Sequence, residues 1–178
     1  MITILDFEAS GLEPDSYPIQ VAWNIGKEVT TFLINPESTE EWVSWSSESE
    51  LLHGIRRESL IENGSHIAVV AAAMIEQLSG KLVYSDAVSF DAFWCKQLFE
   101  AAGVMESLKW RDFWFRINME RPASIPNTCS WECGEWRRRL KEQAIRNVAQ
   151  PEHRADHDVQ IRMEIFRLAV SGWSPSSA

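Results

Sequence analysis

Cysteine is scarce in this chain, with three among 178 residues, at positions 95, 129 and 133. So small and odd a number excludes a disulfide framework. Cys129 and Cys133 have no second Cys or His pair nearby, so they read as two ordinary thiols, with a metal or redox pair as the alternative. Cys95 falls on an apolar helical stripe and reads as core. Long apolar runs are missing as well. The longest uncharged, mostly apolar run is Ile67–Ile75, far short of the ~20 residues of a membrane helix. The opening Met-Ile-Thr-Ile-Leu-Asp-Phe-Glu has no basic segment and reaches acids by its sixth residue, unlike a conventional secretory signal. The expectation is a reduced, cytoplasmic protein with no membrane partner. Bases are outnumbered too, 17 Lys and Arg against 26 Asp and Glu, for a net charge of −9. That disfavours a protein held on DNA by bulk charge. It leaves room for an enzyme that meets phosphate through divalent ions, since each ion reverses the local charge.

What is present is ordinary globular material, 45% hydrophobic and 24% charged, enough for a core without staples. No repeat or linker-like segment divides the chain, so residues 1–178 are expected to form one domain. Residues 1–7 read as a short buried strand and Ser10–Pro18 as a loop. Ile19–Ile25 and Val29–Ile34 read as a hairpin around Gly26-Lys27-Glu28. From Ser47 the pattern turns helical: a short helix, then Arg57–Asn63, then His66–Leu78 ending at Ser79-Gly80. Lys81–Tyr84 is a brief strand, and Phe90–Ala102 has helical periodicity. Trp42 and Trp45 would lie on one side of a possible strand. Residues 107–128 give no clear pattern. Trp131–Val148 and Arg154–Val170 read as helices separated at Pro151. A hairpin followed by alternating strands and helices implies an α/β domain with one mixed sheet flanked by helices.

The first chemical signal is Leu5-Asp6-Phe7-Glu8. Residues two apart on a strand share a face, so Asp6 and Glu8 present adjacent carboxylates. Like charges so placed are destabilising unless a cation lies between them, and a hard divalent ion suits oxygen donors. Alone, such a pair is weak evidence, because a solvated strand end looks the same. Two further acidic phrases stand at Tyr84-Ser85-Asp86-Ala87-Val88-Ser89-Phe90-Asp91 and at Pro151-Glu152-His153-Arg154-Ala155-Asp156-His157-Asp158. His153 and Asp158, five apart, would lie roughly 140° apart around a continuous helix. If both serve one centre, His153 must sit in the loop after Pro151, with Asp158 one turn into the helix.

With these motifs the sequence resembles the DEDDh branch of the DnaQ-like 3′–5′ exonucleases, which have the ribonuclease H-like fold. The D-x-E of the first strand falls on Asp6 and Glu8, the helix-start Asp on Asp91, and the terminal H-x-x-x-x-D on His153 and Asp158. Glu50-Leu51-Leu52-His53-Gly54-Ile55 is similar to the family's E-x-x-H-G-I. His153–Val159 is similar to the TREX, RNase T and exonuclease X type. Asp86 departs from the Asn that relatives often have, adding negative charge at the mouth. The resemblance implies that Asp6, Glu8, Asp91 and Asp158 hold two Mg²⁺ or Mn²⁺ ions, that His153 is the general base, and that phosphodiesters are hydrolysed from the 3′ ends of single-stranded DNA or RNA. It also makes Ala9, Ser10, Gly11, Leu12, His53 and Phe90 candidate substrate contacts, with Leu12 as an apolar wedge between terminal bases. Against these stand exposed-loop packing for Leu12 and helix closure for His53.

Other readings stay open. His153 and His157 have the spacing of two zinc ligands on one helix face, but Arg154 stands where such a site needs its Glu. His157 reads as exposed or supporting, and Asp156 as solvated. Arg137, Arg138, Arg139, Lys141 and Arg146 form either a phosphate-contacting stripe or a solvated face, the latter including a homodimer contact. The alternatives in function are oligoribonuclease-like clearing of short RNAs, a non-catalytic nucleic-acid-binding module on the same fold, and an interaction domain with structural acids. The intact set of five site residues argues against a dead copy, and metal titration separates the last.

Overall fold

The computed structural model describes residues 1–105, 108–126 and 128–173. Five strands form one mixed sheet: β1 (Thr3–Ala9), β2 (Pro18–Ile25), β3 (Glu28–Leu33), β4 (Leu82–Ser85) and β5 (Lys109–Asp112), in the order β3-β2-β1-β4-β5. β1 runs antiparallel to β2 and parallel to β4, and so is the strand at which the hairpin half meets the parallel half. β2 and β3 are joined by the two-residue turn Gly26-Lys27, with Gly26 at a φ of 62° that glycine adopts without strain.

The helices are α1 (Ser47–His53), α2 (Arg57–Asn63), α3 (Ile67–Leu78), α4 (Val88–Ala101), α5 (Phe113–Asn118), α6 (Trp131–Val148) and α7 (Ala155–Val170). They cover the sheet on two faces, each with its own core. Leu5, Phe7, Val21 and Trp23 pack with residues of α2, α3 and α4. Ile4 and Ala22 pack with residues of α5, α6 and α7. The period of two in a strand therefore decides the site: Asp6 and Glu8 share the Ile4 face of β1 and are directed toward α7.

The α/β expectation with a mixed sheet holds, and most boundaries agree to within two residues. Two sequence expectations change. The segment around Trp42 and Trp45 is not a strand. Trp42 is instead buried by stacking on Tyr17 at 5.1 Å, and Trp45 donates to Glu50 at 2.6 Å. The illegible stretch holds β5 and α5, with residues 106, 107 and 127 outside the described set. No described helix is long and apolar enough to cross a membrane.

One buried polar residue ties the two central strands together. Asn24, fully buried, accepts the Ile4 amide at 2.7 Å and donates to the carbonyls of Ile2 and Gly26, both at 3.0 Å. Asn24→Ala orphans a buried amide and should cost about 1–3 kcal/mol. For a chain this long that is roughly 2–4 °C in Tm per kcal/mol, readable by calorimetry. An unchanged Tm would remove this residue from the account.

Candidate active site

Each acid comes to the centre by a different local route. Asp6 and Glu8 lie at the end of β1, where the register with β2 breaks between Glu8 and Ala9. Asp91 lies in the first turn of α4. Its Oδ1 accepts the Phe7 amide at 3.1 Å, and its Oδ2 accepts the Ser85 hydroxyl in a very short contact. Asp158 lies in the first turn of α7, and His153 lies outside that helix in the preceding loop. This is the arrangement that the five-residue spacing requires. His153 is exposed, its φ of 65° is left-handed, and its backbone amide donates to Asp158 Oδ2 at 3.3 Å. Histidine is among the few non-glycine residues enriched in that conformation.

Asp6, Glu8 and Asp158 converge: one ligand atom from each lies within 4.8 Å of the others. Asp91 stands outside that triangle, beside it. Burial raises all four acids, and repulsion from other carboxylates of the set adds to it at Asp6 and Glu8. Glu8 is pushed up to about 8, first by burial and then by Asp158. Asp91 rises to about 7 by burial, opposed by the Ser85 hydrogen bond. Asp6 is raised well above the carboxylate range, and Asp158 is raised, both mainly by burial. Acids crowded out of water in this way are poorly balanced without a cation. Their donors are oxygens alone, which suits a hard divalent ion.

Two residues in the site carry no motif signal. Gln20 sits opposite Glu8 on β2 and accepts both the Ala155 amide and Arg154 Nε at 3.2 Å. It also donates to Asp156 Oδ1 at 2.9 Å. Arg154, at the N-cap of α7, supplies no side-chain cap, so Gln20 of the sheet serves α7 instead. Asp156 is accordingly not merely solvated. Arg162, one turn beyond Asp158, lies with Nη1 3.2 Å from Asp6 Oδ1 and donates through Nη2 to Asp86 Oδ1 at 2.6 Å. Asp86 therefore carries a paired charge.

The candidate substrate contacts fall around one loop. Ala9, Ser10 and Gly11 are buried. The Ser10 hydroxyl accepts the Tyr17 amide at 3.1 Å, which closes the loop on itself. Leu12, at its tip, is 69% exposed. Trp94 Nε1 donates to Ser16 at 3.0 Å, tying α4 to that loop, and the exposed Phe90 packs on Trp94. His53 is buried at the end of α1, and burial lowers it to about 4, so it is neutral near pH 7. Its Nδ1 accepts the Ile55 amide at 3.0 Å, which leaves the proton on Nε2. That Nε2 lies beside the Ala9 carbonyl without the geometry of a hydrogen bond.

His157 lies next to Asp156, with Nδ1 3.1 Å from the Pro151 carbonyl. The basic stretch of α6 is largely paired. Arg138 contacts Glu135 and Glu142, Arg139 contacts Glu135 at 2.6 Å, and Lys141 reaches Glu152 at 2.5 Å in the His153 loop. Arg137 donates to Asn118 at 2.7 Å. So paired a stripe has less charge to offer phosphate. Cys133 is buried and Cys129 exposed.

No family model and no curated protein sequence matches the chain. Solved structures do. The zinc-bound complex of Escherichia coli exonuclease I with single-stranded DNA superposes with a TM-score of 0.62 and 17% identity over 94% of this chain and 40% of that one. The same enzyme with a dT13 oligonucleotide gives 0.62 and 17% over 94% and 41%. Exonuclease I from Methylocaldum szegediense gives 0.60 and 20% over 94% and 40%. This chain thus spans about two fifths of their length. At such identities the likeness is one of fold, the ribonuclease H-like α/β architecture of a mixed sheet flanked by helices.

The electrostatics generate a prediction. Folding raises these acids, so the folded chain keeps protons that the unfolded chain gives up above its ordinary carboxylate pKa. Stability of the ion-free protein should then fall as pH rises toward about 8, the value for Glu8. In chelator, Tm should decline from about pH 5 to about pH 8, and Glu8→Gln should flatten the decline. Mn²⁺ at a hundredfold excess over Kd should restore about 2.7 kcal/mol. A Tm indifferent to Mn²⁺ would count against a cation site.

Proposed function

We propose that this chain is a divalent-ion-dependent 3′–5′ exonuclease acting on single-stranded nucleic acid. One observation carries the reading: one buried and two half-buried carboxylates from β1 and α7 converge, with His153 held in the loop before the helix that carries Asp158. The shared fold with exonuclease I supports it, and those structures hold single-stranded DNA, which makes DNA the first substrate to test. The motif likeness to the TREX, RNase T and exonuclease X type belongs to the same proposal.

Asp6, Glu8 and Asp158 would hold the ion, Mg²⁺ or Mn²⁺. When bound, it supplies charge neutralisation at the scissile phosphate and acidifies a water. His153 accepts the proton of the attacking water at a ring nitrogen, from a loop that keeps the imidazole exposed to substrate. The water oxygen bonds to phosphorus and the bond from phosphorus to the 3′-oxygen of the penultimate nucleotide breaks, releasing a nucleoside 5′-monophosphate and a new 3′-hydroxyl. Leu12 and Phe90, the exposed apolar residues of the loop and α4, offer surfaces for the terminal bases. The neutral His53, with an unpartnered Nε2–H, offers a donor beside Ala9.

End-labelled single- and double-stranded DNA and RNA, with Mn²⁺, Mg²⁺ or EDTA, test this directly. Linear single strands with a free 3′-hydroxyl should shorten one nucleotide at a time, while 3′-blocked strands and closed circles survive. Rapid nicking of circles would mean an endonuclease. His153→Ala should lower turnover by roughly 10²–10⁴ and keep Mn²⁺-dependent stabilisation, whereas Asp158→Asn should lose both. His157→Ala should remain active. Loss of activity in His157→Ala but not in His153→Ala would overturn the assignment of the base.

A further inference from the structure

The carboxylates of the candidate centre are not equally available to ions. Both oxygens of Asp91 are engaged, by the Phe7 amide and the Ser85 hydroxyl. Asp6 Oδ1 already faces a guanidinium, with Arg162 Nη1 at 3.2 Å but out of line for a hydrogen bond. Only Asp6, Glu8 and Asp158 form a close group of three candidate ligands among the described residues.

Arg162 is built into this position. It follows Asp158 by four residues on α7, so the two side chains share a helix face. Its Nη2 is anchored on Asp86 Oδ1 at 2.6 Å, so the guanidinium spans Asp6 and Asp86. The side chain is only 12% exposed, so it is not a surface arm for substrate. The cavity beside it, lined by Asp86, Trp114, Lys141, Glu152 and Asp158, measures about 20 Å³. That is room for about one water, not for a withdrawn guanidinium. Arginine keeps its proton in proteins, so its positive charge at Asp6 is permanent.

We propose that Arg162, clamped by Asp86, is a built-in cation of this centre. It takes the side of Asp6 that a second ion would have to share, and the centre holds one divalent ion, in the triangle of Asp6, Glu8 and Asp158. Arg162 is thus a positioning residue: it orients Asp6 and sets the ion number at one, where the motif resemblance implies two. The inference rests on the metal-centre reading above and concerns its stoichiometry.

Counting ions tests it without reference to turnover. Mn²⁺ binding to the full chain, followed by calorimetry and by electron paramagnetic resonance, should give one ion per wild-type chain. Arg162→Gln leaves Asp86 without its partner and could unfold the chain, so Asp86→Asn/Arg162→Gln, which removes the pair together, is measured beside it. In whichever variant folds by circular dichroism, a second Mn²⁺ should bind. Its affinity should exceed that of any second wild-type site by roughly 5–150-fold, the usual range for coupled sites. It should be close enough to the first for spin coupling to broaden the signal. Two ions of comparable affinity in the wild type, or a folded double variant that still takes one, would overturn the proposal while leaving the metal centre intact. A wild-type chain that binds no Mn²⁺ overturns the metal-centre reading and this inference with it.

Discussion

Repulsion among carboxylates at the end of β1 is the constraint to which the rest of the molecule answers. Asp6, Glu8, Asp91 and Asp158 are brought out of water together, each raised by burial. An arrangement of that kind persists only where the surrounding packing enforces it. Here β1 is flanked on both sides by other strands and the sheet is covered on both faces. The apolar cores on those faces can hold the acids in place because no single acid belongs to an element free to move away.

The enforcement is local and specific. Ser85 and the Phe7 amide hold Asp91. Gln20 holds the start of α7 against the sheet, and Arg162 stands between Asp6 and Asp86. Lys141 reaches across from α6 to Glu152 and steadies the loop that carries His153. These contacts separate two jobs. Carboxylates on rigid elements suit ion binding, which rewards fixed geometry. A histidine on a loop with a left-handed backbone suits a group that must meet an incoming substrate.

The proposed substrate side is organised differently. The loop after β1 is closed by Ser10 and Tyr17 and tied to α4 through Ser16 and Trp94, yet it leaves Leu12 at its tip 69% exposed. An apolar tip on a pinned loop is well suited to separating stacked bases, because the loop need not be ordered on binding. The paired arginines of α6 point the other way, toward a helix that stabilises itself through i, i+3 and i, i+4 contacts.

The sequence by itself determined what local periodicity governs. The period of two in β1 put Asp6 and Glu8 on one face, and the helical angle between His153 and Asp158 placed the histidine outside α7. The α/β order, with its hairpin first, was legible from turn residues and apolar spacing. β5 and α5 were not, because Lys-Trp-Arg-Asp is too short and too exposed to alternate. Trp42 read as a strand residue because its partner, Tyr17, lies 25 positions away. Only the tertiary structure decided how the charges are balanced. Gln20 meets Asp156 across 136 positions, and Arg162 meets Asp86 across 76. Pairings at that distance leave no trace in local spacing, since they follow from which faces of β1, β2 and α7 the cores press together.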